Sequence, residues 1–286
     1  DQQATETPQF RQLLQLALSE DIGSGDVTSD YFIPQNLTLR AFIVAREPGT
    51  IAGVAAARAT FLEVDPDLEV QVMIPSGSSV SAGAHVLCVS GKARSILTAE
   101  RTALNFMQRL SGIASLTSKF VDAISETQVR ILDTRKTTPG FRALEKAAVL
   151  AGHGHNHRMG LYDRAMVKDN HIASLGGLEQ LQTAINRLRE EKPNIEVEIE
   201  ADSLEQVEKL LTLEGIDHIL LDNMSNEMLT KAIELRGSRN RPFFEASGGV
   251  NLDTVKSIAV TGVDFISVGA LTHSAGSLDL GLDTPD

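Results

Sequence analysis

Apolar residues recur at helical spacing near the start of the chain. Phe10, Leu13, Leu14, Ala17 and Leu18 share one face, which predicts a helix over residues 8–19. Short apolar runs with glycine-containing turns follow. They predict strands around 39–46 and 68–74, then a helix over 94–110. From about residue 128 the pattern becomes strand, loop, helix, repeated. Strands are expected at 129–134, 165–169, 195–201, 218–222, 242–246 and 264–268, with amphipathic helices such as 178–189 and 203–213 between them. Two helix starts carry capping chemistry: Ser203 with Gln206 three residues on, and Asn251 ahead of Leu252 and Asp253. Repeated strand–helix alternation implies a parallel sheet, open or closed into a barrel.

The strand ends favour a barrel, because parallel barrels place their chemistry at the C-terminal ends of strands. Cations recur there: Arg135, Lys136, His157, Arg158 and Lys168. Arginine pairs with carboxylates through two parallel hydrogen bonds and lysine adds a movable charge, so the set suits a substrate with several carboxylates or phosphates. Carboxylates recur as well: Glu198, Glu200 and Asp222. Alternation along 195–201 puts Glu196, Glu198 and Glu200 on one face of a strand, where they repel unless cations or a divalent ion sit among them. Hard oxygen ligands of this kind suit Mg²⁺. The turns Ser247-Gly248-Gly249 and Gly269-Ala270-Leu271-Thr272-His273-Ser274 offer backbone amides that can hold a phosphate. The alternate histidines of Gly152-His153-Gly154-His155-Asn156-His157-Arg158 raise a second reading, a zinc-dependent barrel hydrolase.

Composition narrows the class. The chain has 286 residues, 42% hydrophobic and 22% charged, which is ordinary for a globular protein with a sizeable core. A formal net charge of -12 argues against a nucleic-acid partner but permits a local basic pocket. No apolar run is long enough to span a bilayer, so no membrane partner is expected. No secretory signal is visible at 1–6, and Cys88, the one cysteine, fits a reducing compartment; a cytoplasmic location is the expectation.

Leu132-Asp133-Thr134-Arg135-Lys136-Thr137, Asn156-His157-Arg158-Met159-Gly160-Leu161 and Val167-Lys168-Asp169-Asn170-His171 together resemble the signature of quinolinate phosphoribosyltransferases. Glu20-Asp21-Ile22-Gly23-Ser24-Gly25-Asp26-Val27-Thr28, Glu100-Arg101-Thr102 and Leu221-Asp222-Asn223 add to the match, which covers nearly the whole chain. The resemblance implies an N-terminal α/β sandwich-like domain, residues 1–111 joined by about 271–286. It also implies an open seven-stranded parallel α/β barrel over 112–270, one strand more than the six read above. It implies transfer of phosphoribosyl from phosphoribosyl pyrophosphate to quinolinate with decarboxylation, giving nicotinate mononucleotide, pyrophosphate and CO₂ in NAD synthesis, with Mg²⁺. It implies a homodimer with shared active sites, open to higher assembly. Carried over by motif, Arg101, Arg135, His157, Arg158 and Lys168 are quinolinate residues. Lys136, Glu200, Asp222, Ser247, Gly248, Gly249, Gly269 and His273 fall on the phosphoribosyl pyrophosphate side. Lys136, Lys168, Glu200 and Asp222 carry the catalytic expectation, with Glu200 and Asp222 meeting Mg²⁺ directly or through pyrophosphate. Gly152-His153-Gly154 departs from the family's usual three glycines. Three other readings stay open: a relative using another pyridine base, the metal-dependent hydrolase, and a non-catalytic regulator on the same scaffold.

Overall fold

Capping chemistry starts the first long helix. In the computed structural model, which describes residues 2–285 apart from the side chains of Asp169 and Ala173, a single turn α1 (Gln2–Thr5) precedes α2 (Pro8–Ile22). The Thr7 side chain accepts the Phe10 amide hydrogen, Pro8 opens the first turn, and the helix stops at Gly23 with φ 55°. α3 (Val27–Phe32) is capped by Asp26, which accepts from Ser29 N at 3.0 Å. Then follow β1 (Thr38–Ala45), β2 (Gly49–Thr50), α4 (Val54–Val64), β3 (Glu69–Val72), β4 (Ser79–Val80), β5 (His85–Lys92) and α5 (Ala93–Ala123).

The chain divides into two units. The first comprises Asp1–Ser118, Thr137–His153 and Leu271–Asp286; the second, Lys119–Lys136 and Gly154–Ala270. Grouped by contacts, the chain thus passes from one unit to the other within α5 at 118/119, and residues 137–153 pack with the first unit. Gly112 lies inside that helix. A Cβ there would lie 1.8 Å from the Gly276 carbonyl oxygen, so this glycine permits close backbone packing rather than ending the helix expected to stop at 110.

In the first unit, β12 (Leu280–Asp283), β1, β5 and β3 form an antiparallel sheet in that order. Its core combines Ile43, Leu87 and Val89 from the sheet, Phe61 from α4, Ile96, Leu104 and Met107 from α5, and Leu278 and Leu280 near the C-terminal strand.

The second unit begins at β6 (Arg130–Leu132). After α6 (Arg142–Ala151), which belongs to the first unit, come β7 (Arg164–Val167), α7 (Asp169–Leu175), α8 (Leu178–Glu191), β8 (Glu196–Ala201), α9 (Leu204–Leu210), β9 (His218–Asp222), α10 (Asn226–Arg236), β10 (Phe243–Ser247), α11 (Val255–Ala259) and β11 (Phe265–Ser267). The strands form one parallel sheet in the order β6-β11-β10-β9-β8-β7. The place beyond β6, where a seventh strand is implied, holds a one-residue parallel bridge between Leu132 and His155. Alternation sorts the side chains. Val197, Ile199 and Ala201 of β8 are buried apolar residues, while Glu196, Glu198 and Glu200 occupy the other face.

Candidate active site

The C-terminal ends of the second unit's strands surround a cavity of about 480 Å³. Thr134, Arg135, Lys136, His157, Arg158, Met166, Lys168, Glu200, Leu220, Asp222, Glu245, Ser247 and Ser267 line it. The expected Arg135, Lys136, His157, Arg158, Lys168, Glu200, Asp222 and Ser247 are therefore brought together. Gly248 and Gly249 continue from Ser247 in an exposed turn, and Gly269 follows β11. Arg101, exposed on α5, and His273 belong to the first unit. That unit has a smaller cavity, about 190 Å³, whose lining includes Glu20 and Asp21 but no cation.

Charge is segregated around the second unit's cavity. Arg135 and Lys136 extend from β6, His157 and Arg158 follow the His155 bridge, and Lys168 ends β7; these are the two ends of the open sheet. Arg158 spans from one end to the other, its Nη1 donating to the Arg164 carbonyl oxygen at 3.3 Å. Burial lowers the Arg158 pKa from its ordinary value, and the nearby Arg135 charge lowers it further. Two guanidinium groups held in this way favour an anion with two carboxylates. Glu200 and Asp222 close the adjacent middle strands β8 and β9.

The turn after β10 is tied to β9. Asn223, at φ 53°, donates its amide to the Ser247 carbonyl at 2.9 Å and its side-chain nitrogen to Asp222 Oδ2 at 3.0 Å. Gly248, at φ 99°, packs against Asn223 so closely that a Cβ would meet its Oδ1 at 2.1 Å.

Beneath the mouth lies a buried cluster. His157 Nε2 is 2.9 Å from Glu198 Oε2 and 3.3 Å from Glu245 Oε2, and both glutamates are fully buried. Burial opposes a charged ring, while the two carboxylates favour one and raise the His157 pKa above its ordinary value. Burial also opposes ionisation of Glu198, yet the His157 contact holds its pKa down. Burial and the Glu198 charge push Glu245 up. Sequence reasoning did not single out Glu245. Its available signal was the alternation of Phe243, Glu245 and Ser247, which puts a lone acid on the interior face of an apolar strand.

The three alternate histidines do not converge. His153 is exposed with φ 66° in the first unit, His155 makes the bridge to Leu132, and His157 faces the glutamates. Among the described residues, the group with metal-ligand composition is His157, Glu198 and Glu245.

The pattern described as the C-terminal domain of quinolinate phosphoribosyl transferase matches residues 113–283, and that of the N-terminal domain matches 26–111. Quinolinate phosphoribosyltransferase (decarboxylating) 2, mitochondrial, of Nicotiana glauca is 44% identical over 96% of this chain and 82% of its own length. Nicotinate-nucleotide pyrophosphorylase (carboxylating) of Mycobacterium leprae is 42% identical over 96% of each. The solved nicotinate-nucleotide pyrophosphorylase of Francisella tularensis superposes with a TM-score of 0.91 at 36% identity, over 100% of this chain and 99% of that one. The chain belongs to the quinolinate phosphoribosyltransferase family.

Proposed function

We propose that this enzyme transfers phosphoribosyl from phosphoribosyl pyrophosphate to quinolinate and decarboxylates the adduct, giving nicotinate mononucleotide, pyrophosphate and CO₂ in NAD synthesis. The observation that carries this reading is the segregation of charge in one cavity, with cations from both ends of the open sheet and carboxylates from its middle strands. Arg135, Arg158 and Lys168 suit the two adjacent carboxylates of quinolinate. Glu200 and Asp222 face the positive charge that develops on the ribosyl carbon as pyrophosphate leaves. Ser247, Gly248, Gly249 and Gly269 form the phosphate-side turns, with Lys136 beside them as a charge for pyrophosphate. Once the ring nitrogen has bonded to ribose, the pyridinium accepts the electron pair released as CO₂ departs.

Glu200 and Asp222 fit Mg²⁺: both supply hard oxygen atoms at adjacent strand ends in the same cavity. The ion, when bound, supplies charge neutralisation for the departing pyrophosphate. No helix among the described residues is long and apolar enough to cross a membrane. Cys88 is a buried free thiol, which supports the cytoplasmic reading.

The test is turnover by the purified protein with quinolinate, phosphoribosyl pyrophosphate and Mg²⁺, read as nicotinate mononucleotide and CO₂. Nicotinate, with one carboxylate, leaves an arginine unpaired and is expected to react far more slowly. Comparable kcat/KM on the two bases refutes the assignment and favours another pyridine. Arg101 is proposed to act across a homodimer, completing the partner's pocket. Mixing inactive Arg101→Ala and Lys168→Ala subunits under exchange should then restore about a quarter of wild-type activity, since half the dimers are mixed and half their sites are intact. No recovery despite demonstrated exchange removes Arg101 from that role.

A further inference from the structure

Both ring nitrogens of His157 have close polar neighbours inside the second unit. Nδ1 accepts the Arg158 amide hydrogen at 2.7 Å. Nε2 faces Glu198 Oε2 at 2.9 Å and Glu245 Oε2 at 3.3 Å. An imidazole nitrogen that accepts a hydrogen bond carries no hydrogen, so the ring proton belongs on Nε2. This excludes the ligand role that the cluster's composition invites. A metal on Nε2 needs that nitrogen bare, and a ligating histidine donates through its other nitrogen, whereas Nδ1 here accepts. The two carboxylates raise the ring's affinity for a second proton, but that proton would have to sit on Nδ1 and point at the Arg158 N–H, whose nitrogen is 2.7 Å away, so the geometry keeps the ring neutral.

The arrangement leads back to the pocket wall. The His157 amide donates to Oδ1 of the buried Asp133 at 2.8 Å. The Arg158 amide donates to the His157 ring, so two successive amides at the start of the 157–158 segment are tied down. Arg158 then lines the cavity and reaches the Arg164 carbonyl. Glu198 Oε2 also accepts from Arg164 Nη1 at 3.4 Å, whereas Glu198 Oε1 and both Glu245 oxygens have no partner in hydrogen-bond geometry among the described residues. Two fully buried carboxylates so poorly supplied with donors are costly as packing, which points to a function.

We propose that Glu198 and Glu245 are positioning residues: they hold His157 as the neutral Nε2–H imidazole, and His157 in turn fixes the Arg158 main chain so that its guanidinium is presented to a substrate carboxylate. The proposal rests on the reading of Arg158 as a carboxylate-binding residue. Its test has two arms on the full-length enzyme. The first records ring ¹H–¹⁵N correlations of histidine-labelled protein at pH 7, with His157→Gln to assign the signal. The neutral Nε2–H pattern is expected; an Nδ1–H or doubly protonated ring overturns the proposal. The second compares Glu245→Leu with Glu245→Gln, which keeps an acceptor oxygen. Glu245→Leu should raise the quinolinate KM about tenfold or more, with little change in the KM for phosphoribosyl pyrophosphate, and Glu245→Gln should recover most of the loss. An unchanged quinolinate KM in a Glu245→Leu enzyme that melts like the wild type also overturns it. If Glu245→Leu does not fold, the wild-type ring spectrum decides. If the wild type does not turn over quinolinate, the substrate reading falls while the ring spectrum still reads the tautomer.

Discussion

Gly248→Ala should damage the turn after β10, which is proposed to hold phosphate, and its neighbour supplies the control. A Cβ on Gly248 would stand 2.1 Å from Asn223 Oδ1, 2.6 Å from its Cγ and 3.1 Å from its amide nitrogen. Ordinary contact needs about 3.5 Å, so the Asn223 side chain must retreat by roughly 1.4 Å. Retreat breaks its 3.0 Å hydrogen bond to Asp222. The positive φ of 99° costs an alanine about 1–2 kcal/mol, as estimated from left-handed backbone. One lost hydrogen bond adds about 1 kcal/mol, for a total of about 2–3 kcal/mol. Gly249, at φ 63°, has open space where a Cβ would stand, with nothing within 4 Å, so Gly249→Ala should cost only the backbone strain, about 1–2 kcal/mol. The two variants should therefore melt within about 2–4 °C of each other. Activity should separate them far more. A shift of about 1 Å at Asp222 and Ser247 is expected to lower kcat/KM for phosphoribosyl pyrophosphate by about 100-fold, while Gly249→Ala stays much closer to wild type. Thermal melting and initial rates on purified variants measure both. Near-normal kcat/KM in Gly248→Ala, or equal loss in the two variants, would refute the coupling of Asn223 to this turn.

Lys136→Ala and Lys168→Ala should each reduce kcat/KM by about 100-fold or more while melting normally; retained activity would make them surface charges. His153→Gly should raise stability slightly, by about 0.5 kcal/mol, because relief of left-handed strain outweighs the added freedom of the unfolded chain; a lower melting temperature would contradict this. Asp26→Ala should cost about 1 kcal/mol at pH 7 through loss of the α3 cap. The Ser29 hydroxyl, the Ser29 amide and the Thr98 hydroxyl hold the Asp26 pKa below its ordinary value. Its contribution is thus present above the unfolded pKa and lost as pH falls through the folded one, so the gap between wild type and Asp26→Ala in melts at several pH values should close in acid.

Much of the second unit was legible because a parallel sheet repeats one local pattern. The predicted strand at 218–222 coincides with β9, and the alternation along 195–201 placed Glu198 and Glu200 on the face that β8 gives them. Long-range packing was harder to read. α5 runs through Gly112 to Ala123, and that glycine serves a close backbone approach to Gly276, a distant partner that local propensity does not reveal. β5 went unread although Val86-Leu87-Cys88-Val89 is a buried apolar run, because such a run lacks the period that distinguishes strand from helix. β12 shows its purpose only through pairing with β1. In the site, the cations at strand ends were visible as a group. Glu245 was not, because one acid among phenylalanines acquires meaning only when β8 and β10 bring it to His157.

The pairing of β12 with β1 also governs the order in which the protein can mature during synthesis. Arg46 and Asp283 are joined by two hydrogen bonds across 237 residues of sequence. At about 5–20 residues per second, a ribosome needs roughly 10–50 s to make the stretch between them. Throughout that interval β1 has an unpaired outer edge, and the core lacks Leu278 and Leu280. Every strand of the barrel sheet is translated before the first unit's sheet can be completed. The part of the protein made first is therefore among the last to finish folding, and its waiting edge is where a holding chaperone would act and where rapid overexpression would start aggregation.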